Sequence, residues 1–342
     1  MHNSFRFLRT IFAVLVILFF GSTLAAELVP MPNLVNPNII EADDSHIYIT
    51  DDTKIHIYNR KNFKLIKSFG KSGEGPGEFM GSIGSGRAPL DLDVAVDKLL
   101  VSSMGKVTLY SKDGKFLQEK KCLDRSRRFI MFKNGFVGNL NKVMGKERFR
   151  TLNLYDLNLK NLKILVKRPH TLKPGGGYNP LEGPQVYTAH KGKLYVCWEP
   201  GFSVKVFDSS GNLVDTITRG YNKKEVTEEQ KKKIDNALKN NPRTKELYPY
   251  LKPMKFSEYF PAINNLEVTD GKLYVIGRQD FNDPAQCYIF DLSGKFLKQT
   301  KLDLTIYDGR LVYPYCIKGG KVYQLVEDDD EEGWGIRVID IK

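Results

Sequence analysis

Long apolar runs, histidine and cysteine are all scarce in this chain of 342 residues, and each shortage closes a class of function. Beyond residue 26 no stretch approaches the roughly 20 apolar residues that a helix needs to cross a bilayer. The remainder is therefore expected to be non-membrane-spanning. The five His (His2, His46, His56, His170, His190) show no HExxH pairing or other metal spacing. No GxSxG elbow offers a serine nucleophile. Cys122, Cys197, Cys287 and Cys316 are too few for a disulfide scaffold and lack CxxC spacing. Three pairings of four Cys are possible, and the sequence does not choose among them. Their strand-like surroundings, as in Tyr195-Val196-Cys197-Trp198, favour small buried apolar side chains instead.

What is present begins with an N-terminal signal layout. Arg6 and Arg9 precede an apolar run over Thr10–Phe20, and small residues follow at Gly21, Ser22, Thr23, Ala25 and Ala26. This is the pattern of a cleavable secretory signal over 1–26, with a retained N-terminal anchor as the alternative. Export to a periplasmic or extracellular location is expected. Residues 1–26 hold two Arg and no acid, so the formal +12 falls to about +10 on the exported chain. A basic surplus suits acidic partners. Here the lysines are spread over turns and strand faces, and export argues against nucleic acid.

One phrase recurs along the rest of the chain. It reads KIHIYNRKNFKLI at 54–66, KVTLYSKDGKFL at 106–117, TLNLYDLNLKNLKIL at 151–165, SVKVFDSSGNLV at 203–214, QCYIFDLSGKFL at 286–297 and GIRVIDIK at 335–342. Each copy follows a second phrase of the kind GKLYV, preceded by one more short apolar segment. Together they give four alternating strands per unit, six times over. The expectation is an all-β chain: a six-bladed β-propeller of four-stranded antiparallel blades. A pair of β-sandwiches would not explain the regular four-strand phrase. The sixth unit stops after its third strand, so residues 27–37 are expected to supply the closing strand of the last blade and remove a free edge. Residues 220–262 form a helical insertion between blades 4 and 5, with Thr227-Glu228-Glu229-Gln230 as a capping box.

Turns between first and second strands, and between third and fourth, are short. The long connections are expected at 70–90, 139–149, 169–186, 220–262, 277–286 and 327–335. In an up-and-down blade these fall on one face, and long loops on a rigid scaffold are where binding residues live. Loop 70–90 is Gly-rich but lacks a GxxxxGK[ST] cradle, and the acidic 327–335 lacks EF-hand spacing and reads as a solvated hairpin tip. Aromatics and Arg dominate binding hot spots. The candidate binding residues of this face are Arg87, Arg128, Tyr178, Trp198, Arg278 and Trp334.

KLIKSFGKSGEGPGEF at 64–79 resembles the NHL-repeat blade ending, FGxxGxGPGxF. FPAINNLEVTDGKLYVIG, followed by CYIFDLSGKFL, looks like the blade pattern of secreted bacterial six-bladed β-propeller proteins. Many of these carry a charged helical insertion just before a Pro-Ala-Ile phrase, as at Pro261-Ala262-Ile263. The likeness spans 38–342. It implies fold and export and brings no catalytic residues. The function expected is a non-enzymatic binding or scaffold module, a monomer recognising a protein, peptide or glycan without a cofactor. The alternative is a metal-dependent enzyme. Some six-bladed propellers are calcium-dependent lactonases or esterases that hold the metal in the central channel with Glu, Asn and Asp, and Glu41, Asp93, Asn264 and Asn265 lie near such positions.

Overall fold

The second strand of most repeats is apolar on both sides, and this decides the architecture. In HIYITD (His46–Asp51), KLLVSS (Lys98–Ser103) and KLYVIG (Lys272–Gly277) every residue after the first is buried. A strand buried on both faces must lie inside a stack of sheets. The outer strands, such as Leu65–Phe69 and Leu213–Thr218, are mostly exposed. A computed structural model describes residues 27–80, 90–103, 105–122, 128–145, 147–170, 177–183, 185–241, 244–278, 283–307, 311–328 and 333–342. The secretory-signal reading of residues 1–26 lies outside them, as does Arg87.

Six four-stranded antiparallel sheets follow in chain order. Blade 1 comprises Pro37–Ala42, His46–Asp51, Lys54–Asn59 and Leu65–Phe69. Blade 2 comprises Asp91–Val94, Lys98–Ser103, Lys106–Ser111 and Phe116–Lys121. Blade 3 comprises Phe129–Phe132, Gly135–Met144, Glu147–Asp156 and Asn161–Pro169. Blade 4 comprises Val186–His190, Lys193–Cys197, Ser203–Phe207 and Leu213–Thr218. Blade 5 comprises Ile263–Thr269, Lys272–Gly277, Ala285–Asp291 and Phe296–Leu302. Blade 6 takes Tyr315–Lys318, Lys321–Asp328 and Gly333–Asp340 from the C-terminal end and Glu27–Pro30 from the N-terminal end. The first strand of each blade touches the first strands of both neighbours, so these six strands form the inner wall of a ring.

The core is divided into six wedges, one between each pair of blades. Alternate residues of one strand serve opposite wedges, as the period of two demands. Ile47 and Ile49 pack towards blade 6 with Tyr323 and Leu325, whereas Tyr48 packs towards blade 2 with Leu99 and Val101. Glu27–Pro30 pairs antiparallel with Gly335–Val338 and closes the ring. The Met31 N–H donates to the Trp334 carbonyl at 2.7 Å. The buried Asp51 carboxylate then receives the N–H groups of Val35 and Asn36.

Each turn after a third strand is built on a side-chain acceptor at that strand's end. The Asp208 carboxylate accepts from the Ser210 and Asn212 N–H groups, and Asp291 does the same for Ser293 and Lys295. Gly211 and Gly294 then carry the left-handed residue, at φ 74° and 86°. Blade 3 lacks that Gly: Leu159 stands at φ 60°, held by the same kind of Asp156 turn.

One expected loop is different in kind. Residues 139–149 are mostly strand, because blade 3 extends its middle hairpin to Met144 and resumes at Glu147. The acidic 327–335 stretch lies at a hairpin end as expected, with pairing through Asp328 and Gly333. The insertion holds a helix at Glu228–Asn240, with the full Thr227–Gln230 capping box and Ile234 and Leu238 buried. A short second helix, Tyr248–Leu251, follows.

Candidate functional site

The inner strands alternate between wedge and channel. Ile40, Leu92 and Leu266 are buried, while their neighbours Glu41, Asp91, Asp93, Asn265 and Glu267 face the axis. The result is a channel of about 740 Å³ lined by all six blades. Register shows why acids gather there. Glu41, Asp93 and Glu267 stand opposite Tyr48, Leu100 and Tyr274 of their second strands. They therefore occupy one equivalent position in three blades. Two of them link neighbouring inner strands: Asp93 Oδ2 accepts the Met131 N–H at 2.8 Å, and Glu267 Oε2 accepts the Ile317 N–H at 2.6 Å.

Arg128 is set among these acids, and Lys112 also acts on Glu41 and Asp93. Arg128 Nε lies 3.6 Å from Asp91 Oδ1, and its guanidinium sits 5.5 Å from the Tyr187 ring centre. The Tyr187 hydroxyl donates to the Arg128 carbonyl at 2.7 Å. Enclosure by protein pushes the Glu41 carboxyl up to about 8, although Arg128 pulls the other way. It lifts Asp91 to about 6, raises Asp93, and raises Glu267 well above the ordinary range. Burial alone would lower Arg128, but Asp91, Tyr187, Glu41 and Asp93 outweigh it and hold the guanidinium above its usual value. At neutral pH the channel thus mixes protonated acids, which can donate hydrogen bonds, with carboxylates and the Arg128 guanidinium.

The two ends of the channel differ. At the short-turn end the charges are already satisfied. Asp43 accepts from the Tyr48 hydroxyl at 2.8 Å and pairs with Lys112 at 3.1 Å. Against the upward push of burial, these and the Ser45 and His46 N–H groups bring it down to about 2. Lys318 bridges Asp44 and Asp270 at 2.9 and 2.8 Å. The long-loop end is bordered by Arg278, Val312, Tyr313 and Pro314.

Among the sequence-derived binding residues, Arg128 and Arg278 line this channel. The other described ones stand apart. Trp198 is buried in the wedge between blades 3 and 4, under the Arg168 guanidinium. Tyr178 bridges to Met254 and packs on the insertion. Trp334 stacks edge-on with Tyr313, 6.0 Å between centres. Glu41, Asp93, Asn264 and Asn265 all line the channel, although Asn265 Oδ1 accepts the Leu266 N–H. Among the described residues, no three His, Cys, Asp or Glu side chains are grouped as a metal site. Asp91, Tyr187, Glu267 and Tyr315 were missed. Aligning the repeats on their second strands brings out Glu267 as the counterpart of Glu41 and Asp93.

Fold and site define a six-bladed β-propeller with a polar, acid-rich channel. No protein-family model matches the chain, and no curated protein matches it. Among solved structures it is similar to a suspected exported protein of Bacteroides fragilis: 12% identity, 93% of this chain and 95% of that one covered, TM-score 0.55. It also matches a member of the duf4221 family from Bacteroides vulgatus at 10% identity, with 92% and 98% coverage and TM-score 0.45. A luciferin-regenerating enzyme matches at 11% identity, with 93% and 96% coverage and TM-score 0.45. At these identities the likeness is one of fold. No helix among the described residues is long and apolar enough to cross a membrane.

Proposed function

We propose that the protein is an exported, non-enzymatic binding propeller that admits a glycan or peptide segment into its channel from the long-loop face. It acts without a cofactor and as a monomer. The N-terminal signal layout and the fold shared with a suspected exported protein support the location. The observation that carries the reading is the channel itself, about 740 Å³, where neutralised acids, carboxylates, Asn264, Asn265 and Arg128 offer both donors and acceptors. A few convergent polar groups in a preformed cavity are the usual mark of a ligand site. Its satisfied, ion-paired end makes the long-loop end the entrance.

The test is glycan- and peptide-array binding, followed by calorimetry on the Glu41→Gln/Glu267→Gln double variant. At least a tenfold change in affinity for the best array ligand is expected. Unchanged affinity removes the channel from the reading. A calcium titration of Tm forms a second arm. A rise in Tm that Asp93→Asn or Asn264→Ala abolishes would replace this reading with a metal-dependent one.

A further inference from the structure

A second cavity, of about 400 Å³, lies beside the channel on blade 5 and shares Arg278 with it. Its floor is the outer half of blade 5. Gln286 and Tyr288, two apart on one strand, face the same way, and Gln299 stands opposite Tyr288 on the next strand. The Gln299 amide donates to the Gln286 amide oxygen at 2.8 Å. The wall is the strap leaving blade 4, with Tyr221 and Lys224, and Phe260 closes the top as the chain returns from the insertion.

The chemistry of this lining is specific. Three aromatic rings, Tyr221, Phe260 and Tyr288, provide flat apolar faces. Tyr288 is fixed edge-on against Phe202 with 5.0 Å between centres. Two amides supply paired donors and acceptors. Among the described residues that line the cavity, Lys224 and Arg278 are the cations and Asp283, ion-paired to Lys224 at 2.9 Å, is the one acid. The Arg278 guanidinium lies over Phe260, 5.5 Å from the ring centre, at the boundary of the two cavities. Flat faces suit the apolar C–H face of a pyranose ring, amides suit its hydroxyls, and a guanidinium suits a carboxylate.

We propose that this cavity is a subsite for an acidic oligosaccharide, with a uronate carboxylate at Arg278 and Lys224 and a sugar ring on Tyr288 or Tyr221. This deepens the binding reading above and rests on it for the chain's continuation into the channel. Arg278 lines both cavities, so a uronate oligomer that crosses it would join them. An acidic peptide shares the carboxylate but not the flat ring face.

The test is calorimetry on the full folded chain with galacturonate and glucuronate trimers, their neutral methyl esters, and triglutamate. At least one free-acid trimer should bind at least tenfold more tightly than its ester and than triglutamate. Tyr288→Ala should weaken it at least tenfold, and Arg278→Ala should abolish the preference for acid over ester. Tyr221→Ala, on the exposed strap, repeats the test should Tyr288→Ala unfold. No preference over the esters, equal binding of triglutamate, or full affinity in the Tyr221 and Tyr288 variants would overturn the proposal. Glu41→Gln separates the two readings: loss of affinity only in the blade 5 variants leaves this subsite standing while the channel reading fails.

Discussion

Asp51 is the most informative residue to remove, because the closure of the ring converges on it. Its buried carboxylate accepts the Val35 N–H at 3.0 Å and the Asn36 N–H, and lies 3.4 Å from His56 Nε2. His56 Nδ1 in turn meets Ser68 Oγ at 2.7 Å. One side chain thus ties the segment that follows the N-terminal strand to three strands of blade 1. Hydrogen bonds to a charged acceptor contribute about 1.5–3 kcal/mol each. Val35 is 82% exposed, so water can satisfy its N–H once the carboxylate is gone, and its share falls to the low end. Asp51→Ala should therefore cost about 3 kcal/mol, and Asp51→Asn, which keeps one acceptor oxygen, about half. Guanidinium denaturation at pH 7 measures the loss. Hydrogen exchange should quicken over 28–36 and along Gly333–Asp340, the strand it pairs with. The pH limb has a definite sign. Burial pushes Asp51 up, but His56 and the two N–H donors prevail and hold it below its ordinary value of 3.8. Its stabilisation is thus present above 3.8 and lost as pH falls through the lower native value, a limb Asp51→Ala should lack. An Ala variant costing under about 1 kcal/mol, with the N-terminal strand as protected as before, would refute the latch.

Other perturbations have equally definite directions. Burial raises Glu41 from 4.5 to about 8, so its contribution is complete below 4.5 and lost as pH rises through about 8. Glu41→Gln should flatten the fall in Tm between pH 5 and 8.5 and be the more stable protein at the upper end, by about 1–2 kcal/mol after allowance for channel water; an unchanged slope contradicts the enclosure. All four cysteines are free and buried, with Cys197 and Cys287 pushed up to about 12 by burial. A thiol reagent should therefore find no reactive group in the native protein and four in denaturant without reductant. A smaller number after unfolding would mean a disulfide. Thr227→Ala removes the acceptor of the Gln230 N–H and should cost about 1 kcal/mol, confined to faster exchange over Glu228–Asn240. Faster exchange in blade 5 as well would show that the insertion braces the ring.

The architecture was legible because it is written twice, once in the four-strand phrase and again in the doubly buried second strand. HIYIT, KLYVC and KLYVIG each alternate between two wedges, and only a ring of stacked sheets offers two apolar faces to all of them. The misreadings came where residues do not declare a face. FVGNLNKVM and ERFRTLNLY read as a loop at 139–149 because their outer halves are polar, yet a hairpin needs no apolar face once it projects beyond its neighbours. Blade 3 turns without the Gly that blades 4 and 5 use. Asp156 supplies the same acceptor that Asp208 and Asp291 supply elsewhere, so Leu159 can carry the left-handed residue.

The channel was harder to see for a physical reason. A site built by one residue from each of several repeats leaves no local motif, and its members lie far apart in sequence, as Glu41 and Glu267 do. Residue type is a poor guide there. Trp198 and Tyr178 look like binding aromatics, but a large ring is worth more in a wedge or under an insertion than on a face, and that is where each is found. Arg128 and Arg278 were expected on the long-loop face and line the channel instead, because a guanidinium beside short apolar strands has few places to go except the polar axis or its mouth. The most useful signal is departure from the repeat. At one inner-strand position the six blades carry Glu41, Asp93, Ile130, Thr188, Glu267 and Cys316. Folding asks only for a strand there, so the acids in three blades are surplus to it. Their enclosure raises the cost of ionisation without an offsetting metal-like grouping among the described residues. Two of them partly recover that cost by holding a neighbour's N–H. Among the described residues the Glu41 carboxyl holds no neighbour's N–H in this way, and it is the acid whose replacement by Gln best separates a structural role from a ligand-binding one.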